Sequence, residues 1–311
     1  MLFYEDIKHL PKVLLAFTSL TAEEFEELLI HFSIEWELME SEDDKPRKRK
    51  RGGGRKKLID QPANRLLLAM FYLKTYPIQE VLAYFFGVSQ AQVNVYIHQC
   101  MTVLHHALKR MAMLPERDQE KLQEALNRCE MLEFGLDGTE RQRERPKDPR
   151  EQKEFYSGKK KKHTVKNNLV IDSNSRKVCY LSETVPGKTH DKRLADESEM
   201  TFPKNAILEQ DTGFKGYQPE DVHIIQPTKK PRNQELPIEQ KFINRVISST
   251  RVMVENVICG VKRCRIVKDI FRNKKEGFDD LVMEIACGLH NFRVESRSSY
   301  VNINLVDFYF R

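Results

Sequence analysis

The stretch "MLEFGLD", Met131–Asp137, marks the point where the hydrophobic spacing of this 311-residue chain changes. Upstream, apolar residues recur at the three-and-four spacing of helices. In "PIQEVLAYFFGVSQAQVNVYIHQCMTVLHHAL" (77–108), Ile78, Val81, Leu82 and Phe85 form one apolar stripe, and Val93, Ile97, Cys100 and Leu104 form a second. Downstream, "MLEFGLD", "HTVKNNLVID" (163–172), "KVCYLSETV" (177–185), "NAILEQD" (205–211) and "DVHIIQPT" (221–228) read as short strands. A helical "THDKRLADES" (189–198) follows the third, and a long helix is expected from about Asn244. Strands, a helix, further strands and a closing helix predict an α/β domain with a mixed sheet. The expected division is a helical region over 1–128 and the α/β domain over 129–311. The aromatic end "VDFYF" (306–310) reads as a terminal strand or docking segment.

Between the two helical stripes lies "GVSQAQ" (87–92). Gly87 suits a tight turn, Ser89 an N-cap, and Gln92 the closing position of a capping box. The pattern predicts a helix-turn-helix over about 77–108, its second helix presenting Gln90, Gln92 and Asn94 outward. Amide side chains of this kind pair bidentately with adenine in a major groove. An ordinary helical hairpin would share the pattern.

The net charge of +6 is unevenly placed. Segment 45–57, "KPRKRKRGGGRKK", carries nine basic residues and no acidic one, among them Lys48, Arg49, Lys50 and Arg51. Segment 141–162 carries ten basic against four acidic residues and ends in Lys159, Lys160, Lys161 and Lys162. The two together contribute +15, which leaves −9 for the rest, as in a chain that meets a polyanion. The longest apolar run, "LLLAMFYL" (66–73), is too short to cross a bilayer, and the N-terminus lacks a signal-peptide pattern, so no membrane is expected. Six dispersed cysteines without CxxC or paired-histidine spacing are expected to be reduced thiols in the core.

Two carboxylates stand where strands end: Asp137 ahead of Gly138, and Asp211 ahead of "TGFKGY". Open α/β sheets place their sites at such positions. Glu255 on the last helix is the third candidate. Three acids from separate elements suit hard cations such as Mg²⁺, two of which can serve phosphodiester chemistry. Solvated surface carboxylates are the plain alternative for any one of them. Arg251 and Lys262 fall near the same helical line as Glu255, which fits an exposed salt-bridged face as well as a site.

Six motifs in order carry a resemblance: "LDGTE" (136–140), "YSGKKKKHTVKNNLVID" (156–172), "PGKTHDKRL" (186–194), "DTGFKGY" (211–217), "PTKKP" (227–231) and "NRVISSTRVMVENVICGVKR" (244–263). Together they resemble DDE-type transposases of the bacterial insertion-sequence and Harbinger-like group, and residues 54–89 resemble that family's N-terminal helix-turn-helix region. The resemblance implies a ribonuclease-H-like catalytic fold and metal-dependent DNA cleavage and strand transfer. Its three acids fall on Asp137, Asp211 and Glu255, separated by 74 and 44 residues. Mg²⁺ is the implied cofactor, with Mn²⁺ substituting. Arg251 and Lys262 would meet phosphate oxygens. The implied partners are double-stranded DNA, as terminal inverted repeats and target, and a second copy of the chain, since cutting two ends requires two sites. A bacterial protein of this kind works in the cytoplasm on the nucleoid, a eukaryotic one in the nucleus. A transposase-derived DNA-binding protein that no longer cuts, or a nuclease that does not join, are the rival functions.

Two decoys are set aside. "SETVPGKT" (182–189) nearly spells a phosphate-binding loop, but Ser182 replaces its first glycine and Pro186 removes an N–H, so no nucleotide cofactor is expected. Asp191 competes with Asp211 for the second acid, but it opens the helical "KRLADES" and is expected to cap it. Asp211, with no helix expected after it, is left needing another partner for its charge.

Overall fold

The computed structural model describes residues 1–42, 59–231 and 235–309; Lys48, Arg49, Lys50, Arg51 and the rest of segment 45–57 lie outside the described residues. The chain divides into two compact units. The helical unit comprises Met1–Leu114, Arg263–Asp269 and the chain from Leu281 onward; the sheet unit comprises Pro115–Lys262 and Ile270–Asp280.

The helical unit holds α1 (Tyr4–Ile7), α2 (Pro11–Thr18), α3 (Ala22–Glu42), α4 (Pro62–Thr75), α5 (Gln79–Phe86) and α6 (Gln90–Arg110). Every residue of α4 from Asn64 to Leu73 is buried, so the apolar run read from sequence is a central core helix. Its Arg65 lies between the rings of Trp36 and Tyr96, at 4.2 and 4.3 Å.

The sheet unit adds α7 (Gln119–Leu126), β1 (Glu133–Gln142), α8 (Pro149–Phe155), β2 (Tyr156–Ser157), β3 (Lys162–Asp172), β4 (Val178–Leu181), β5 (Val185–Pro186), α9 (Asp191–Glu197), β6 (Ala206–Gln210), β7 (Val222–Ile225) and α10 (Ile238–Val261). Helix α11 (Phe278–Tyr309) begins here and continues into the helical unit, where Arg297 Nε binds Glu24 Oε1 at 2.7 Å. Among the described residues, no helix is long and apolar enough to cross a membrane.

The sheet is mixed. β3 pairs antiparallel with β1 on one side and with β4, β5 and β2 on the other, while β6 runs parallel to β1 and β7 parallel to β6. With neighbours on both sides, β3 is buried from Thr164 to Asp172. Its buried amide Asn167 is satisfied by Ser182 O and Thr184 Oγ1, and accepts from Arg141 Nη2. α10 lies against β1 at Gly135, where a Cβ would come within 2.3 Å of Val254 Cγ2. Only glycine admits the helix this closely.

Several expectations change at this level. Helix α7 belongs with the sheet, because Leu122 and Leu126 share a core with Phe134, Leu136 and Leu208. The contact grouping thus differs from a division at 128/129, and the chain from Leu281 onward falls with the helical unit. α10 starts at Ile238, six residues before Asn244, and 306–309 are helical rather than a terminal strand. Three cysteines (Cys100, Cys264, Cys287) are buried, whereas Cys259 is exposed and Cys129 and Cys179 are half-buried.

Candidate active site

The parallel pairing of β1 with β6 sets Leu136 opposite Gln210, so Asp137, which lies within β1 rather than at its end as the sequence suggested, stands beside Asp211, the residue that follows β6. Strand spacing puts their backbones about 5 Å apart. Asp137 Oδ1 accepts from Gly138 N at 2.8 Å. Burial pushes its carboxyl up to about 6, against the pull of Gly138 N–H and Arg251, with Asp211 and Asp191 adding to the rise. Asp211 Oδ1 accepts from Thr212 N at 2.6 Å and stands 3.5 Å from Arg251 Nη1. Here the sequence expectation fails: a short 3₁₀ turn, Thr212–Phe214, does start after Asp211, and Asp211 is its N-cap.

Helix α10 brings Arg251 to this pair and carries Glu255 one turn further on, exposed. Lys262 closes the helix, half-buried, its ammonium pushed below the usual lysine range by burial and by Lys160, while Cys259 and Asp137 oppose the shift. Asp137, Asp211 and Arg251 are therefore together, with Lys160 and Lys262 close enough to Asp137's region to be felt. Glu255 is not in contact range in the same sense: among the described residues, no group of three His, Cys, Asp or Glu stands close enough to hold a metal ion. Two carboxylates nevertheless fit a hard cation. Mg²⁺ commonly takes one or two protein carboxylates, with water and phosphate oxygens completing its shell, and burial holds the half-buried Asp137 near 6 despite the pull of Arg251.

Asp191 is a residue whose surroundings the sequence misjudged. His190, not Asp191, is the N-cap of α9, and the Asp191 carboxylate pairs with the buried Lys166, Nζ to Oδ1 at 2.9 Å. Lys166 also donates to Thr189 O at 2.8 Å. Asp191 reaches the two glycines beside the acids: Cβ atoms on Gly138 and Gly213 would meet its oxygens at 3.1 and 3.2 Å. Removing the charge strands a buried ammonium, so Asp191→Asn is expected to cost about 2 kcal/mol, more than the loss of a helix cap would. Urea denaturation at neutral pH measures this, and cleavage should stay within about tenfold of wild type.

The helix-turn-helix forms at 79–110. Gly87, at φ +64°, ends α5, and Ser89 Oγ accepts from Gln92 N at 3.2 Å to open α6. Val93, Ile97, Cys100 and Leu104 are buried as expected. Of the first stripe only Leu82 is buried: Ile78, Val81 and Phe85 are exposed, and α5 buries Ala83 and Phe86 beside Leu82. Gln90 is exposed and hydrogen-bonded to Gln79, while Gln92 and Asn94 are only half-exposed. Lys159, Lys160 and Lys161 lie exposed on the turn between β2 and β3, with Lys162 exposed at the start of β3.

Residues 136–291 match the DDE superfamily endonucleases. The chain belongs to that family. A second match, to the helix-turn-helix of DDE superfamily endonucleases, covers residues 56–110 of this DDE endonuclease. The chain is also 28% identical over 255 residues to a probable transposase for insertion sequence element IS702 from Microchaete diplosiphon, covering 80% of this chain and 86% of that protein. No solved structure matches. The family match begins at Leu136 and so takes in Asp137, Asp211 and Glu255, and the second match takes in Gln90, Gln92 and Asn94.

Proposed function

We propose that this DDE endonuclease is a DNA transposase that cuts the ends of its element and joins the released 3′-hydroxyls to target DNA. The observation that carries the reading is the pairing of Leu136 with Gln210, which sets Asp137 and Asp211 side by side under Arg251. The sheet order, three antiparallel strands followed by two parallel ones, supports a ribonuclease-H-like domain. Asp137 and Asp211, with Glu255 swinging in from α10, would hold two divalent cations, Mg²⁺ or Mn²⁺. Bound there, the cations supply electrostatic stabilisation of the attacking and leaving oxygens. Arg251 and Lys262 orient the phosphodiester through its non-bridging oxygens. Arg251 also holds Asp211 in place until DNA arrives.

Recognition of the element ends falls to α5 and α6, with Gln90, Gln92 and Asn94 as base readers. Lys159, Lys160, Lys161 and Lys162, together with Lys48, Arg49, Lys50 and Arg51, neutralise backbone phosphates. A homodimer on DNA supplies one site per end. The test is a joining assay: a duplex ending in the repeat that flanks the gene, bearing a free 3′-hydroxyl, is incubated with a supercoiled plasmid and Mg²⁺. Covalent joining is expected. Cutting without joining would mark a nuclease, and binding without cutting a transposase-derived DNA-binding protein.

The raised Asp137 carboxyl has a consequence for stability. Its folded value of about 6 lies above the ordinary 3.8, so the native state binds more protons between these values. The stabilisation is complete below about 4 and is lost as pH rises through about 6, at most about 3 kcal/mol. In metal-free buffer, Asp137→Asn should therefore melt above wild type at pH 7, with the gap closing toward pH 4. Equal melting temperatures at pH 7 would contradict a net cost of burying this charge.

A further inference from the structure

A second basic feature of the sheet unit lies away from the acids. Beyond the end of β1, a groove of about 470 Å³ is lined by Arg143, Arg145, Lys161, Lys162, His163 and Arg272, with Glu144 the acidic residue on its wall. Its floor is tied by main-chain bonds: Arg143 N to His163 O at 2.9 Å, Glu144 N to Phe271 O at 3.0 Å, and Phe271 N to Gln142 O at 2.9 Å. The cations thus stand on a fixed frame. Phe271, more than a hundred residues on in sequence, is joined to this frame by an isolated parallel bridge to Arg143.

Three of the groove's cations are held by neutral groups. Elsewhere in the unit, Arg128, Arg193 and Lys192 each bind a carboxylate four residues away in sequence. In the groove, Arg143 stacks on the Phe155 ring at 3.9 Å, Arg145 Nη2 donates to the neutral Gln152 Oε1 at 2.7 Å, and Lys162 Nζ donates to the neutral Gln142 Oε1 at 3.2 Å. These contacts hold the side chains in position while leaving their charge unneutralised. Five cations against one carboxylate in an open trough match a chain of phosphates better than a single anion.

The frame also sets a distance. From Asp137 to Gln142 is five residues along β1, about 17 Å at strand rise. A DNA strand advances about 3.4 Å per nucleotide. We propose that the groove holds the sugar–phosphate backbone of the DNA being processed, at phosphates no more than about five nucleotides from the bond cut at Asp137 and Asp211. This rests on the transposase reading and extends it: Arg143 and Arg145 belong to the basic segment 141–162, and Arg272 joins them from outside it.

The test measures binding of the full chain to a fluorescein-labelled duplex of about 30 base pairs in EDTA, across a range of NaCl concentrations. A variant carrying Arg145→Gln, Lys162→Gln and Arg272→Gln keeps the side-chain stems and removes three charges. Its plot of log affinity against log salt should flatten by about 2–3 units relative to wild type. A charge-matched control, Lys121→Gln on α7, Arg128→Gln just after it and Lys204→Gln ahead of β6, should keep the wild-type slope. If the groove variant melts early, the surface reversal Lys161→Glu with Lys162→Glu replaces it, with the same flattening expected. A full slope in the groove variant, or equal flattening in the control, overturns the assignment. On a duplex that the wild type cuts, a single neutral methylphosphonate about 2–5 nucleotides from the cut should weaken wild-type binding and leave the groove variant unaffected; no such position overturns the spacing. If wild type cuts DNA but the groove variant keeps its slope, only the groove falls. If wild type does not bind the duplex at all, the transposase reading falls with it.

Discussion

Glu255→Gln is expected to cleave DNA at least about 10³-fold more slowly than wild type in Mg²⁺, a loss near 4 kcal/mol in the barrier. Glu255 is exposed on α10, so replacing it by its amide should leave stability within about 0.5 kcal/mol. Loss of cleavage could not then be ascribed to unfolding. DNA binding should survive, because the contacts assigned to phosphate and base lie on other residues. The measurement is cleavage rate, with melting temperature and duplex affinity read on the same preparation. Near wild-type cleavage would remove Glu255 from the site and leave Asp137 and Asp211 as its acids.

The second large effect is expected at Asp211. Asp211→Asn should also lower cleavage by at least about 10³-fold. The amide oxygen of asparagine can still accept from Thr212 N and cap the 3₁₀ turn, so the fold should lose at most about 1 kcal/mol. Asp191→Asn should show the reverse profile: a clear stability loss through Lys166 and modest loss of cleavage. Rates and denaturation curves for the two variants, side by side, decide between the acids. If Asp191→Asn is the inactive, normally folded one while Asp211→Asn still cuts, the second acid has been assigned to the wrong residue.

The sequence carried the longer strands of the sheet well. "AILEQD" and "HTVKNNLVID" became β6 and β3 almost to the residue. The two-residue strands β2 and β5 were invisible because so short a pairing has no periodicity. The early start of α10 was missed because its first half is not buried: Ile238 is 85% exposed and Phe242 67%. For the same reason the α5 stripe misled, since helical spacing shows that residues share a face but not that another element covers it.

At the site, the strand-end reading held for Asp211, which follows β6, but not for Asp137, since β1 runs on to Gln142; it is the β1–β6 pairing that places the two together. Their local partners were less legible. A 3₁₀ turn of three residues gives no helical pattern, so the capping role of Asp211 went unseen. Asp191's partner Lys166 lies 25 residues upstream on β3, and only the sheet brings it there. The groove joins residues 143–145 to residues 270–272 through backbone bonds that no local spacing encodes.

The central claim is that Asp137 and its neighbouring acids carry metal-dependent DNA cleavage. The measurement that tests it most directly is nicking of a plasmid containing the gene and its flanking DNA by the purified full chain, with Mg²⁺ varied from EDTA-chelated to millimolar levels, for wild type and Asp137→Asn. Wild type should nick only when Mg²⁺ or Mn²⁺ is present, and Asp137→Asn should be slower by at least about 10³-fold at every metal concentration while remaining folded. Cleavage by Asp137→Asn at the wild-type rate in Mg²⁺, or cleavage by wild type in EDTA, would contradict the account.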